Sequence, residues 1–185
     1  MRRIFGVILV FLLLNGCSKS SKQMEQAMQL RDSILSSKGC SFEVTVTADY
    51  QDIYYTFDMS CDSDAIGNVL FEVISPDTIS GITGIVTAKE GKLTFDDHIL
   101  LFSTLAEGQI TPVSAPWLFL NSLKGGYIKG CAMDSGGILL EIDDSYANGS
   151  MMQRIRIDHG KPSYVEIFWD GSRVVTMDVK EFHIL

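Results

Sequence analysis

The chain has 185 residues, with 15 Lys and Arg against 23 Asp and Glu, for a formal net charge of −8. That balance excludes nucleic-acid binding, which needs clustered cations to displace counterions, and broad adhesion to anionic lipid head groups. With 46% apolar residues and only 4 prolines, the composition is that of a globular domain rather than a disordered chain.

The first element is an export segment. Met1-Arg2-Arg3 is followed by an apolar run from Ile4 to Leu14, interrupted only by Gly6. The run is too short for a permanent span, which takes about 20 apolar residues, and has the size of a secretory core behind a basic start. The junction Leu14-Asn15-Gly16-Cys17 resembles the bacterial lipobox, in which a branched apolar residue and a small residue precede an obligatory cysteine. The resemblance implies cleavage after Gly16 and a diacylglycerol on the Cys17 thiol, with the new amino terminus often carrying a further acyl group such as palmitate. Two chains suffice for stable attachment where one is marginal. Residues 1–16 are thus read as a lipoprotein signal peptide and residues 17–22 as a lipid-anchored, solvated tether. Residues 23–185 remain as a single domain. Cleavage removes Arg2 and Arg3 and no acid, leaving 13 basic and 23 acidic side chains, so the mature charge is 13 − 23 = −10.

From Gln23 to Ser37 the residues Met24, Ala27, Met28, Ile34 and Leu35 recur at three- and four-residue steps, with Arg31 as a polar intruder and Gly39 as a stop signal. This predicts an amphipathic helix. The period then changes to two. Phe42, Val44, Val46 and Ala48 alternate with polar residues, and Ile53, Tyr55, Phe57, Met59 and Cys61 repeat the pattern. A four-residue loop at Asp49–Asp52 would set Phe42 opposite Met59 and, one pair further, Cys40 opposite Cys61. In an exported chain that arrangement predicts a disulfide between Cys40 and Cys61, the alternatives being two buried thiols or an intermolecular bond. Cys131 is left unpaired and reads as a structural thiol on a strand.

Further strands are predicted at Val69–Ile74, Gly81–Ala88, Lys92–Phe95 and Ile99–Phe102. A helix is predicted at Ala115–Leu123, opened by Pro116 and closed by Gly125-Gly126. After it come Tyr127–Met133, Ile138–Ile142, Met151–Ile157, Tyr164–Trp169 and Val174–Phe182, with turns at Asp158–Pro162 and Asp170-Gly171. The order of helix, strand meander, helix, strand meander predicts an α+β fold whose sheet must curl or be covered.

No catalytic constellation emerges. His98, His159 and His183 stand at turns or strand ends without a nucleophile in register. No Cys or His pair has metal-ligand spacing, and the glycine pairs lack the order of a phosphate loop. No metal, other cofactor or enzymatic activity is therefore expected. What stands out is apolar surface: Met24, Met28, Phe57, Met59, Trp117, Phe119 and Phe168 either fill an ordinary core or line a cavity suited to acyl chains.

From about Met24 to Phe182 the chain resembles the LolA/LolB-like superfamily of envelope lipoprotein carriers, which includes mycobacterial lipid-carrying lipoproteins and clostridial germination lipoproteins. The resemblance rests on the amino-terminal helix, the paired strands Phe42–Ala48 and Ile53–Cys61, and the step Val73-Ile74-Ser75-Pro76 before Gly81-Ile82. It also rests on the strand Lys92–Phe95, the helix Ala115–Leu123, and Gly160-Lys161-Pro162 followed by Tyr164-Val165-Glu166-Ile167. It implies a strongly curved antiparallel sheet, an incomplete barrel, covered by an N-terminal and a mid-chain helix. It also implies an extracytoplasmic place on the cell membrane or outer membrane. The function so implied is binding of a lipid or lipoprotein acyl chain. The alternative is a protein-interaction lipoprotein, acting as cofactor of an envelope enzyme such as a cell-wall hydrolase, with no lipid ligand.

Overall fold

The computed structural model describes residues 18–50, 53–106, 109–134, 136–145 and 149–185. The export segment and Cys17 lie outside the described residues.

Alternation of period two produces strands wherever it is sustained. After helix α1 (Ser18–Ser36) run β1 (Gly39–Tyr50), β2 (Ile53–Asp64), β3 (Val69–Ser75), β4 (Thr83–Val86), β5 (Gly91–Phe95) and β6 (His98–Phe102). A small pair, β7 (Leu105–Ala106) and β8 (Gln109–Ile110), and a 3-10 turn at Pro112–Ser114 lead into helix α2 (Ala115–Gly125). The second meander is β9 (Tyr127–Asp134), β10 (Gly137–Asp143), β11 (Met151–Asp158), β12 (Lys161–Trp169) and β13 (Ser172–Ile184). The two meanders form one antiparallel sheet of 11 strands, ordered β6-β5-β4-β3-β2-β1-β13-β12-β11-β10-β9. The sheet curls without closing, so the fold is α+β with an incomplete barrel, as expected.

The halves meet where β1 pairs with β13, from Cys40 opposite Ile184 to Ala48 opposite Val175, with one irregularity between Ser41 and Glu43. On the helix-facing side this seam carries Phe42, Val44, Val46 and Ala48 from β1 and Val175, Met177, Val179 and Phe182 from β13, all buried. Helix α2 lies on that side. Phe119 meets Phe42 edge-on at 5.9 Å and Phe182 at 6.3 Å, while Phe42 and Phe182 are 5.6 Å apart. Each such ring pair adds about 0.5–1.5 kcal/mol beyond its buried area.

Helix α1 differs from expectation in two ways. It is described from Ser18 on, so residues 18–22 of the tether expected at 17–22 are helical. No Pro or Gly interrupts the chain before Gly39, and Lys22, Gln23, Met24, Glu25, Gln26 and Ala27 are good or adequate helix formers. Its buried stripe is Ala27, Leu30 and Ile34, whereas Met28 and Leu35 are exposed.

The β1–β2 register also departs from expectation. Tyr50 pairs with Ile53, so two residues rather than four join the strands, and every pair shifts by two. An even shift keeps each apolar side chain on its face, and a short hairpin connection suits the twist of the strands. The shift places Cys40 opposite Ser63 and Cys61 opposite Phe42. The two cysteines become diagonal neighbours, about 7–8 Å apart in such ladders and beyond disulfide reach. Both thiols are free and buried, and Ser63 Oγ accepts the Cys40 N–H at 2.8 Å. The expected Cys40–Cys61 bridge is corrected accordingly.

Burial pushes the Cys61 thiol pKa far up, and desolvation raises that of the half-buried Cys131 as well. In the native protein, alkylation should therefore mark Cys131 first and reach Cys40 and Cys61 only on unfolding. A Cys40–Cys61 linked peptide in a non-reducing digest would contradict this register.

Candidate binding site

The site is built where α1 crosses the sheet. One turn of α1 places Arg31 beside the last turn of α2. Its Nε donates to Leu123 O at 2.6 Å, and its Nη2 donates to Gly126 O at 2.8 Å and Ser122 O at 3.4 Å. The carbonyls at a helix C-terminus lack intrahelical partners and carry the negative end of the dipole. A planar cation with several donors meets both needs. Desolvation pulls the Arg31 pKa down from its ordinary value, opposed by Asp32. Gly126 lets the chain leaving α2 run close against β10, since a Cβ there would lie 2.3 Å from Ile142 Cγ2.

A second polar link holds α2 to the sheet. The fully buried Gln153 on β11 donates from Nε2 to Leu118 O at 3.1 Å and Ser122 Oγ at 2.6 Å, and Ser122 Oγ donates to Asp144 Oδ2 at 2.6 Å. With α2 fixed in this way, α1 is tied through Arg31 and spans the ends of the second meander.

Between α1 and those strand ends lies a cleft of about 600 Å³. Its floor is apolar: Leu30, Ile138 and Ile157 are buried, and Met133 and Ile184 are 54% and 40% exposed. Gln26, Gln29 and Ser33 of α1 and His159 of the β11–β12 turn line it further, with Gly136, Gly137 and Gly160. Among the described residues its lining contains no Asp, Glu, Lys or Arg, although the chain is strongly acidic. Gly136 and Gly160, at φ 91° and 79°, supply the left-handed turns that bring the strand ends under the helix.

On the outer face of β2–β5 a different cleft, of about 430 Å³, is lined by Leu70, Phe71 and Ile85 together with Asp62, Glu72 and Lys92 and the hydroxyls of Ser60, Thr83 and Thr94. Its three ionisable side chains, which a hydrocarbon chain would desolvate at a cost, set it apart from the α1 cleft.

The residues singled out in the sequence scatter. Phe57, Met59, Trp117 and Phe119 are packed into the shared core. Met24 is half-buried and Met28 exposed on α1. Phe168 departs from expectation: it lies on the outer face with Arg154, whose guanidinium carbon stands 5.2 Å from its ring centre. None of the seven lines the α1 cleft. Of the residues that do, Met133, Ile138 and Ile157 are expected only as strand members and His159 and Gly160 only as turn residues, although Ile138 and Ile157 form a directly opposed pair in β10 and β11. That pairing at the strand ends, beside glycine-rich turns, is the signal available in the sequence.

No family model matches the sequence, and a search of curated proteins found no match. Solved structures do match. A domain assigned to outer-membrane lipoprotein sorting from Vibrio parahaemolyticus is 12% identical, with 90% of this chain and 93% of that one covered, at a TM-score of 0.52. The lipoprotein LppX of Mycobacterium tuberculosis is also 12% identical, over 89% of this chain and 96% of that one, with a TM-score of 0.44. A chain in the structure of the CwlD amidase from Clostridioides difficile in complex with the GerS lipoprotein is 15% identical, over 88% of this chain and 96% of that one, with a TM-score of 0.43. The chain shares the fold of the Vibrio domain.

The Arg31 link carries a direct prediction. Arg31→Met should leave Leu123 O and Gly126 O without this donor and destabilise the fold by about 1–3 kcal/mol, read from the urea midpoint. Arg31→Lys should recover only part of this, because one ammonium lacks the planar fork. An unchanged midpoint for Arg31→Met would show that the link contributes nothing.

Proposed function

We propose that the protein is a membrane-anchored envelope lipoprotein, without enzymatic activity, that holds a lipid or lipoprotein acyl chain in the cleft between α1 and the sheet. The observation that carries this reading is an apolar floor under a helix, with no Asp, Glu, Lys or Arg among the described residues of its lining, in a chain of formal charge −8. A hydrocarbon chain gains by entering such a place, at about 0.8 kcal/mol per buried CH₂. Its volume of about 600 Å³ falls within the range of ligand sites.

The lipobox-like Leu14-Asn15-Gly16-Cys17 supports the anchor, and Cys17 directly precedes the first residue of α1. A lipid on Cys17 would keep the domain on the extracytoplasmic side of the cell membrane or outer membrane, with the cleft-forming helix next to the bilayer. A second reading, docking of an envelope protein with no lipid ligand, draws on the outer-face cleft of Asp62, Glu72 and Lys92.

A fluorescent fatty acid should bind the purified domain, and native mass spectrometry of freshly isolated protein should show co-purifying lipid. Met133→Asp and Ile184→Asp alter exposed floor residues, and together they should weaken that binding at least tenfold, about 1.4 kcal/mol, with the melting temperature unchanged. Undiminished binding would remove the cleft from the account, and lipid-free protein that captures an envelope protein would favour the second reading. Cys17→Ala should abolish incorporation of labelled palmitate, and retained label would overturn the anchor.

A further inference from the structure

Strand β6 ends the sheet on one side, and no strand among the described residues pairs with its outer edge. Its sequence is His98-Ile99-Leu100-Leu101-Phe102. Ile99, Leu100 and Leu101 are 61%, 58% and 61% exposed, so the strand is apolar towards both faces of the sheet. Natural sheet edges are guarded by charge, proline, a bulge or a covering element. The opposite edge, β9, follows that rule: it carries Lys129 and packs against α1. Strand β6 has no charge, no proline and a regular register with β5.

The hairpin turn fixes which backbone groups of β6 are free. Asp96 and Asp97 have φ of 48° and 62°, the signature of a type I′ turn. Phe95 and His98 flank it as a hydrogen-bonded pair, so His98, Leu100 and Phe102 bond back to β5. Ile99 and Leu101 therefore turn their N–H and C=O groups outward.

We propose that β6 pairs antiparallel with β6 of a second copy of this chain, about a two-fold axis at Leu100. The free groups set the register. Ile99 must face Leu101 of the second copy, which makes two reciprocal hydrogen-bonded pairs and leaves Leu100 opposite Leu100. Sliding by two residues in either direction leaves only one of these pairs intact. Sliding by one sets free groups against groups already used.

The side chains agree with this register. Leu100 meets its own copy on one face, with Leu93 of β5 beside it in each chain, Ile99 meets Leu101 on the other, and His98 lies across from Phe102. Charge favours a copy in this orientation too. Antiparallel pairing carries the acidic Asp96-Asp97 turn to Ser103 and Thr104 of the second copy, so the acids of the two chains never oppose each other. A five-residue edge covers less than the roughly 800 Å² per partner of a standard interface, so the dimer belongs in the weak, concentration-dependent class.

The test uses residues 18–185, which hold every described element, in a Cys131→Ser background. Sedimentation equilibrium over rising concentration should show monomers passing to dimers. Leu100→Lys sets two ammonium groups across the axis and should weaken dimerisation at least tenfold, about 1.4 kcal/mol, with an unchanged melting curve. Mild oxidation should cross-link Leu100→Cys into a covalent dimer, because a non-hydrogen-bonded pair has Cα atoms about 4.5 Å apart. Leu101→Cys should stay monomeric, since its own counterpart lies two residues away. A monomer at every concentration, a dimer that survives Leu100→Lys, or equal cross-linking at both positions would overturn the proposal. So would protection of β6 amides from exchange only when another envelope protein is added.

Discussion

Everything in this molecule depends on one antiparallel seam, the pairing of β1 with β13. Each meander can assemble from neighbours in sequence, but neither alone encloses a core. The seam joins residues far apart in sequence, among them Thr45 and Lys180, whose side chains hydrogen-bond at 3.0 Å across 135 positions. Closing so long a loop costs entropy before any contact repays it. The compensation is local and dense: buried Phe, Val, Ala and Met alternate along both strands, and the Phe42, Phe182 and Phe119 rings converge where helix α2 lies over the junction. Once the seam exists, α2 has a fixed bed, and Gln153 and Arg31 can reach it from opposite sides.

That hierarchy explains why the cleft lies beneath α1 rather than beneath α2. Helix α2 is apolar nearly all round and is buried from Ala115 to Leu120, so it serves as core. Helix α1 buries only Ala27, Leu30 and Ile34 and is tied to its neighbour by Arg31. A helix held by a narrow stripe and a polar clamp leaves space at its margins. At the ends of β10, β11 and β13 that space is floored by isoleucines, so burial and access coexist.

Much of this architecture was legible in the sequence because its periods are long and clean. The strand from Phe42 to Ala48 alternates without interruption, Val175, Met177 and Val179 keep the same period until Glu181, at φ 49°, brings Phe182 back to the buried face, and both helices carry stop signals at glycine. Register was less legible. A shift of two residues conserves every face, so alternation alone cannot distinguish Cys40 opposite Cys61 from Cys40 opposite Ser63. The site was less legible still. Aromatic and methionine content drew attention to Phe57, Met59, Trp117 and Phe119, which fill the core because large side chains do that first. Arg31 was visible as an intruder on an apolar stripe, but its partners are backbone carbonyls some 90 positions away that leave no trace in side-chain chemistry.

The most direct measurement of the central claim is photo-cross-linking with a fatty acid that carries a diazirine near its methyl end, followed by peptide mapping. If the acyl chain lies under α1, adducts fall on Leu30, Met133, Ile138 and Ile157 and are lost when excess unlabelled fatty acid competes. Adducts confined to the outer face of β2–β5, or labelling that competitor does not reduce, would contradict it.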